Sequence, residues 1–89
     1  MKISEDFIKV GDGKQCSVIP IGETSRHTNG VFRLNESAEK IYDLIEEGKS
    51  TDGIVEALSN EYTSDKTEIK DFVDKFIEKL REAGIVVDE

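Results

Sequence analysis

Few residues in this chain could do covalent or acid–base chemistry, and their spacing argues against most of it. Cys16 is the single cysteine and His27 the single histidine. A catalytic thiol needs a base to make it a thiolate, and His27 is the sole imidazole to serve. A transition-metal site needs three or four such donors, which one cysteine and one histidine do not provide. Cys16 therefore reads as a strand residue packed in or near the core. His27, among Ser25, Arg26, Thr28 and Asn29, reads as a solvated loop residue. Gly11-Asp12-Gly13-Lys14 has the composition of a phosphate loop, but it lacks the Walker spacing and falls between strands instead of opening a helix, so a hairpin turn is expected. The carboxylates are spread along helix faces without a paired site for general acid and base. No catalytic residue, metal ion or cofactor is expected. A lone cysteine also rules out an internal disulfide and a cysteine motif for an iron–sulfur cluster.

Charge narrows the partners. The formal net charge is −8 over 89 residues, and it is uneven: residues 1–34 hold five basic and four acidic side chains, residues 35–89 seven and sixteen. The second part thus carries −9 and would repel a phosphate backbone. No stretch approaches the roughly 20 apolar residues of a membrane span, and Met1-Lys2-Ile3-Ser4-Glu5-Asp6 lacks the apolar segment of a signal peptide. A cytoplasmic protein that binds neither nucleic acid nor membrane is expected. The length suits one domain with a single core, without room for a deep cleft walled by several layers.

The elements that must position any binding residue follow from turns and periodicity. Phe7-Ile8-Lys9-Val10 stops at Gly11-Asp12-Gly13, a cluster suited to a tight reversal. Cys16 to Ile21 is rich in β-branched residues, with Pro20 suiting an edge or the end of pairing. Gly22 to Gly30 is polar and unpatterned, and Asn29-Gly30 closes it ahead of a third strand at Val31–Leu34. That strand passes within one residue into a helix capped by Asn35, with Glu36 and Glu39 at the positive end of its dipole. Ala38, Ile41, Tyr42 and Ile45 form the buried stripe, and Gly48 ends the helix. Ser50 or Thr51 caps a second, short helix on which Ile54, Leu58 and Tyr62 share a face. Asp65 with Glu68 resembles a capping box for a third helix running to about Ala83. Its stripe of Ile69, Phe72, Val73, Phe76, Ile77 and Leu80 is the strongest helical pattern present. Ile85-Val86-Val87 is expected to pack back onto the core. The expectation is one α+β domain over residues 1–89, strands within 1–34 and helices within 35–84.

This order of elements, with Val18-Ile19-Pro20-Ile21-Gly22-Glu23 and then Asn29-Gly30-Val31-Phe32-Arg33-Leu34-Asn35-Glu36, resembles the PqqD-like family, peptide-recognition domains of ribosomal peptide-modifying systems. The likeness continues through Ile41-Tyr42-Asp43-Leu44-Ile45, Gly48-Lys49-Ser50-Thr51, Ile54-Val55-Glu56-Ala57-Leu58 and Glu61-Tyr62. It ends in Ile69 to Leu80 and Gly84-Ile85. The resemblance implies a winged helix-turn-helix-like fold, a three-stranded antiparallel sheet followed by three helices, used for peptides. It implies a precursor leader that adds itself as a strand beside the third strand, against the third helix, and is passed to a modifying enzyme, often a radical S-adenosylmethionine enzyme. Whether the product is pyrroloquinoline quinone or another modified peptide stays open, and the diverged Gly22–Gly30 segment favours the second.

Carried onto this chain, the receiving strand is Val31, Phe32, Arg33 and Leu34, and edge amides and carbonyls would give sequence-tolerant affinity. Leu34 and Phe32 are expected toward the core, Val31 and Arg33 outward or toward the peptide. On the third helix, Val73 and Ile77 are expected as an apolar wall bordered by Lys66, Lys70 and Arg81, with Asp74 nearby, which suits a leader with an apolar anchor and acidic side chains. The competing view is that these lysines only solubilise a helix edge. Exposed strand edges can pair with each other, so a monomer or weak homodimer is expected. Two other classes compete. A winged-helix DNA-binding regulator should carry a basic recognition helix, and an acidic carrier protein needs a modifiable serine in an Asp-Ser-Leu setting that does not occur here.

Overall fold

A computed structural model describes residues 1–11, 15–22 and 31–88. The expected turn residues 12–14 and the segment 23–30, with His27 and Asn29-Gly30, lie outside the described residues. The described elements are β1 (Lys2–Ile3), β2 (Phe7–Gly11), β3 (Cys16–Pro20), β4 (Phe32–Leu34), α1 (Glu36–Glu46), α2 (Thr51–Glu61), α3 (Lys66–Glu82) and β5 (Val86–Val87).

The β2–β3–β4 sheet is antiparallel in sequence order, with Ile8 opposite Ile19, Cys16 opposite Leu34 and Val18 opposite Phe32. Period-two alternation then sorts the faces. Phe7, Cys16, Val18 and Leu34 turn inward and are buried, whereas Ile8, Val10 and Arg33 lie exposed on the other face. The expected three-stranded sheet and three helices are present. A second, two-stranded sheet joins the two ends of the chain, pairing Lys2 with Val87 and Ile3 with Val86. Ile85 and Val86 are fully buried beside it, as the apolar run after α3 suggested.

Each helix starts on the residue whose side chain can take an orphaned amide. Asn35 Oδ1 accepts from the Ala38 amide at 2.8 Å, Ser50 Oγ from Gly53 at 3.1 Å and Asp65 Oδ1 from Thr67 at 3.0 Å. Among the described residues Glu68 makes no reciprocal bond to close a capping box. Helices α1 and α3 stop alike: Gly48 and Gly84 adopt φ of 90° and 80°, and the next amide reaches back to Leu44 and Leu80 carbonyls at 3.1 and 2.9 Å. This is the six-to-one bond of a Schellman ending, which favours glycine because a side chain is strained at such φ. Helix α2 ends in extended backbone at Tyr62, whose φ is −113°.

The core lies where the inner face of the sheet meets α1, α2 and α3, centred on Val18, Ile41, Ile45, Ile54, Val73 and Leu80. Burying such side chains stabilises the fold by about 1.5–3 kcal/mol each.

Candidate functional site

Strand β4 pairs with β3 on one side and is the end strand of its sheet, so its outer backbone edge has no strand partner among the described residues. Helix α3 meets that strand through Phe76, which contacts Phe32. The Phe32 ring meets the Phe76 ring edge-on at 6.0 Å between centroids, and Phe76 stacks with Phe72 at 6.4 Å and 11°. Three rings thus form a strip leading from β4 onto α3. Phe72, at its outer end, is 44% exposed. An exposed aromatic face beside an open strand edge can take an extended segment: the edge supplies backbone hydrogen bonds and the rings select apolar side chains.

Beyond Phe72 the strip opens into a cavity of about 330 Å³ lined by Ser37, Leu58, Tyr62, Ser64, Glu68, Ile69 and Phe72. Ser37 Oγ and Tyr62 Oη share a hydrogen bond at 3.3 Å across it. The cavity is placed there because β4 passes directly into α1, which brings Ser37 to the first turn of α3.

Residues 23–86 match the family of coenzyme PQQ synthesis protein D, PqqD. The chain belongs to the PqqD family. Two solved structures share its fold. One is of TbiB1 in complex with the TbiA(beta) leader peptide, at 23% identity and a TM-score of 0.82, covering 99% of this chain and 100% of that one. The other is of lasso peptide synthetase B1 complexed with the leader peptide, at 16% identity and a TM-score of 0.83, covering 98% and 96%. No curated protein matches the chain.

In this PqqD-family chain the residues singled out from sequence separate into two groups. Val31 is 55% exposed, Phe32 half-buried within the ring strip and Arg33 exposed, while Leu34 is buried against the core. Any contact made by Leu34 at the edge is therefore through its backbone. On α3, Val73 and Ile77 are buried and support the helix from beneath. Phe72 and Ile77 lie about 140° apart around a helix of 100° per residue, at opposite edges of the apolar arc. Lys66, Lys70 and Asp74 belong to the Ile77 edge. Lys66 and Lys70 face α2, lining a cleft with Asp52, Val55 and Glu56.

The basic flank is also neutralised. Lys66 pairs with Glu56 at 2.9 Å, Lys70 with Asp74 at 3.0 Å, and Arg81 with Glu78 and Asp88 at 3.5 and 3.3 Å. The hydrogen bond to Asp74 holds the Lys70 ammonium pKa above its ordinary value. By contrast Glu68, Arg33 and Lys79 make no ion pair among the described residues, and Glu68 and Lys79 belong to the Phe72 edge of the arc. From the sequence, Phe72 and Phe76 belong to the apolar stripe of α3, and nothing there marks them out as lining beside Val73 and Ile77. The available signal was the width of the apolar arc, broader than one neighbouring helix covers.

A charged cluster on the inner face of the sheet has no local signal in the sequence. Lys9 shares that face with Phe7 and bonds both Asp43 and Glu39 of α1, the latter at 3.2 Å, with the Tyr42 ring 5.9 Å from its ammonium. Desolvation opposes its charge, but the bonds to Asp43 and Glu39 outweigh it and raise its pKa. The Lys9 bond, then that from Cys16, lowers the Glu39 pKa. Burial first, then the 3.5 Å bond to Glu39, pushes the Cys16 thiol up, which disfavours the nucleophilic thiolate. Burial likewise pushes the Tyr42 phenol up to about 12. The cluster fastens α1 to the sheet.

Proposed function

We propose that this protein is a non-catalytic adaptor that takes the leader of a ribosomally made precursor peptide as an added strand on β4 and presents it to a modifying enzyme. The observation that carries this reading is the outer edge of β4, unpaired among the described residues, beside the Phe32, Phe76 and Phe72 strip. The leader peptides named in the two complexes of the same fold support it. In this reading the peptide contacts Val31, Phe32 and Arg33, the backbone of Leu34, and the Phe72 edge of α3. Val73 and Ile77 act only as packed support, and Lys66, Lys70 and Asp74 stand off the path. The adaptor works as a monomer or weak homodimer. Its enzyme partner is of the radical S-adenosylmethionine type, whose redox chemistry belongs to the partner.

Charge disfavours the DNA-binding reading. Residues 66–82 hold five basic and five acidic side chains, so α3 has no positive face of the kind a recognition helix presents to phosphates.

Backbone methylation of the peptide tests strand addition without altering the protein. A strand directs alternate amides to the same neighbour, so N-methyl groups on one alternating set of the leader's amides should weaken binding at least about tenfold, and on the other set much less. Equal affinity for both methylated peptides and the parent, measured by calorimetry, would overturn the reading.

A further inference from the structure

The cavity at the end of the aromatic strip combines apolar walls with a carboxylate and hydroxyls. The geometry points to a lysine or arginine side chain of the bound peptide as its occupant, the aliphatic stem packed on Phe72, Leu58 and Ile69 and the cationic head on the Glu68 carboxylate. This rests on the peptide-binding reading above and adds the chemical class of the anchor.

Three observations carry it. First, the cavity is continuous with the strip through Phe72, and Ser37 of its lining follows the last residue of β4 by three positions. Second, its lining combines apolar side chains with oxygen acceptors: Glu68, Ser64, and the hydroxyls of Ser37 and Tyr62, which lie 3.3 Å apart. An apolar stem ending in a cation fits such a lining, because it buries methylenes and keeps the head at the polar edge. The aromatic rings attract the same charge. Third, the carboxylate is free to act. Glu68 has no ion pair among the described residues, while Lys40, 5.3 Å from the Tyr62 ring, is bonded to Glu61, and Lys66 to Glu56. The net −9 of residues 35–89 adds a field that favours a cation and disfavours an acidic anchor.

The test uses short capped synthetic peptides of alternating serine and valine in which one position, scanned along the chain, carries lysine, norleucine or glutamate. They are titrated into the ¹⁵N-labelled full-length protein and its Glu68→Gln variant. At one scanned position lysine should bind about fivefold or more tighter than norleucine, with glutamate weakest. Amides of Ser37, Tyr62, Ser64, Glu68 and Phe72 should shift, and the preference should fall to within about twofold in the variant while norleucine affinity is unchanged. No lysine preference, or one that persists in Glu68→Gln, overturns the subsite; shifts along Val31–Leu34 with all three peptides would then leave strand addition standing. A Glu68-dependent preference without shifts at Val31–Leu34 upholds the subsite and removes strand addition. Failure of every peptide to bind the folded protein overturns both.

Discussion

The two edges of the apolar arc on α3 carry the same kinds of residue and have different fates. On the edge with Ile77, the side chains turn to α2: Ile77 is buried, and Lys66 and Lys70 are each held by a carboxylate. On the edge with Phe72, the ring stays 44% exposed and Glu68 is unpaired among the described residues. An edge whose apolar and charged groups have found partners within the fold has little left to offer a ligand. The open edge keeps its apolar surface and its charge, beside a strand whose outer edge has no strand partner among the described residues.

The largest effect expected from breaking this contrast is on the closed edge. Ile77→Ala should cost about 2–5 kcal/mol of stability by leaving a cavity, read from urea denaturation, with peptide affinity unchanged in the folded fraction. Phe72→Ala should do the opposite, shifting the unfolding midpoint little because the ring is half in solvent, yet weakening peptide binding about tenfold or more, as loss of an aromatic anchor does. If Phe72→Ala unfolds the protein and leaves affinity intact, the two edges have been assigned the wrong way round.

A smaller effect separates the binding edge from the charged cluster inside the sheet. Because folding lowers the Glu39 pKa below the ordinary carboxylate value, its contribution to stability is present above that ordinary value and is lost as pH falls through the folded one. The Lys9 pKa is raised, so its contribution persists across neutral pH and is lost only in strong alkali. Lys9→Met should therefore flatten the acid limb of a stability–pH curve below about pH 4.5 without changing the neutral-pH dependence of binding. The smallest effect is expected from Lys66→Met and Lys70→Met. Both remove exposed ion pairs on the closed edge and should change peptide affinity by less than about twofold, with the thermal midpoint nearly unmoved. A larger loss of affinity would place the peptide on the α2 side.

Much of this was legible in the residues. The caps at Asn35, Ser50 and Asp65, the stops at Gly48 and Gly84, and the alternation that buries Leu34 and exposes Arg33 are local signals, and local chemistry decided them. The β1–β5 pair was not, because two-residue strands carry no periodicity and their pairing spans the chain. Nor was the inward turn of Lys9, which depends on carboxylates presented by α1. The distinction between Phe72 and Ile77 was hidden for a similar reason: a helical wheel gives the width of an apolar arc, while the neighbouring elements decide which edge is covered. The Lys70–Asp74 pair at four residues' spacing could be read directly, whereas Lys66–Glu56 joins two helices and could not.

The central claim is that a leader lies along β4 and the Phe72 edge of α3. Its most direct test is the set of intermolecular nuclear Overhauser contacts between the labelled protein and a leader peptide shown by titration to bind it. Contacts from the peptide backbone to the amides and α-protons of Val31–Leu34, and from its side chains to the Phe72 and Phe76 rings, are the predicted result. Contacts instead to Lys66, Lys70 and Asp52 in the α2–α3 cleft would contradict it.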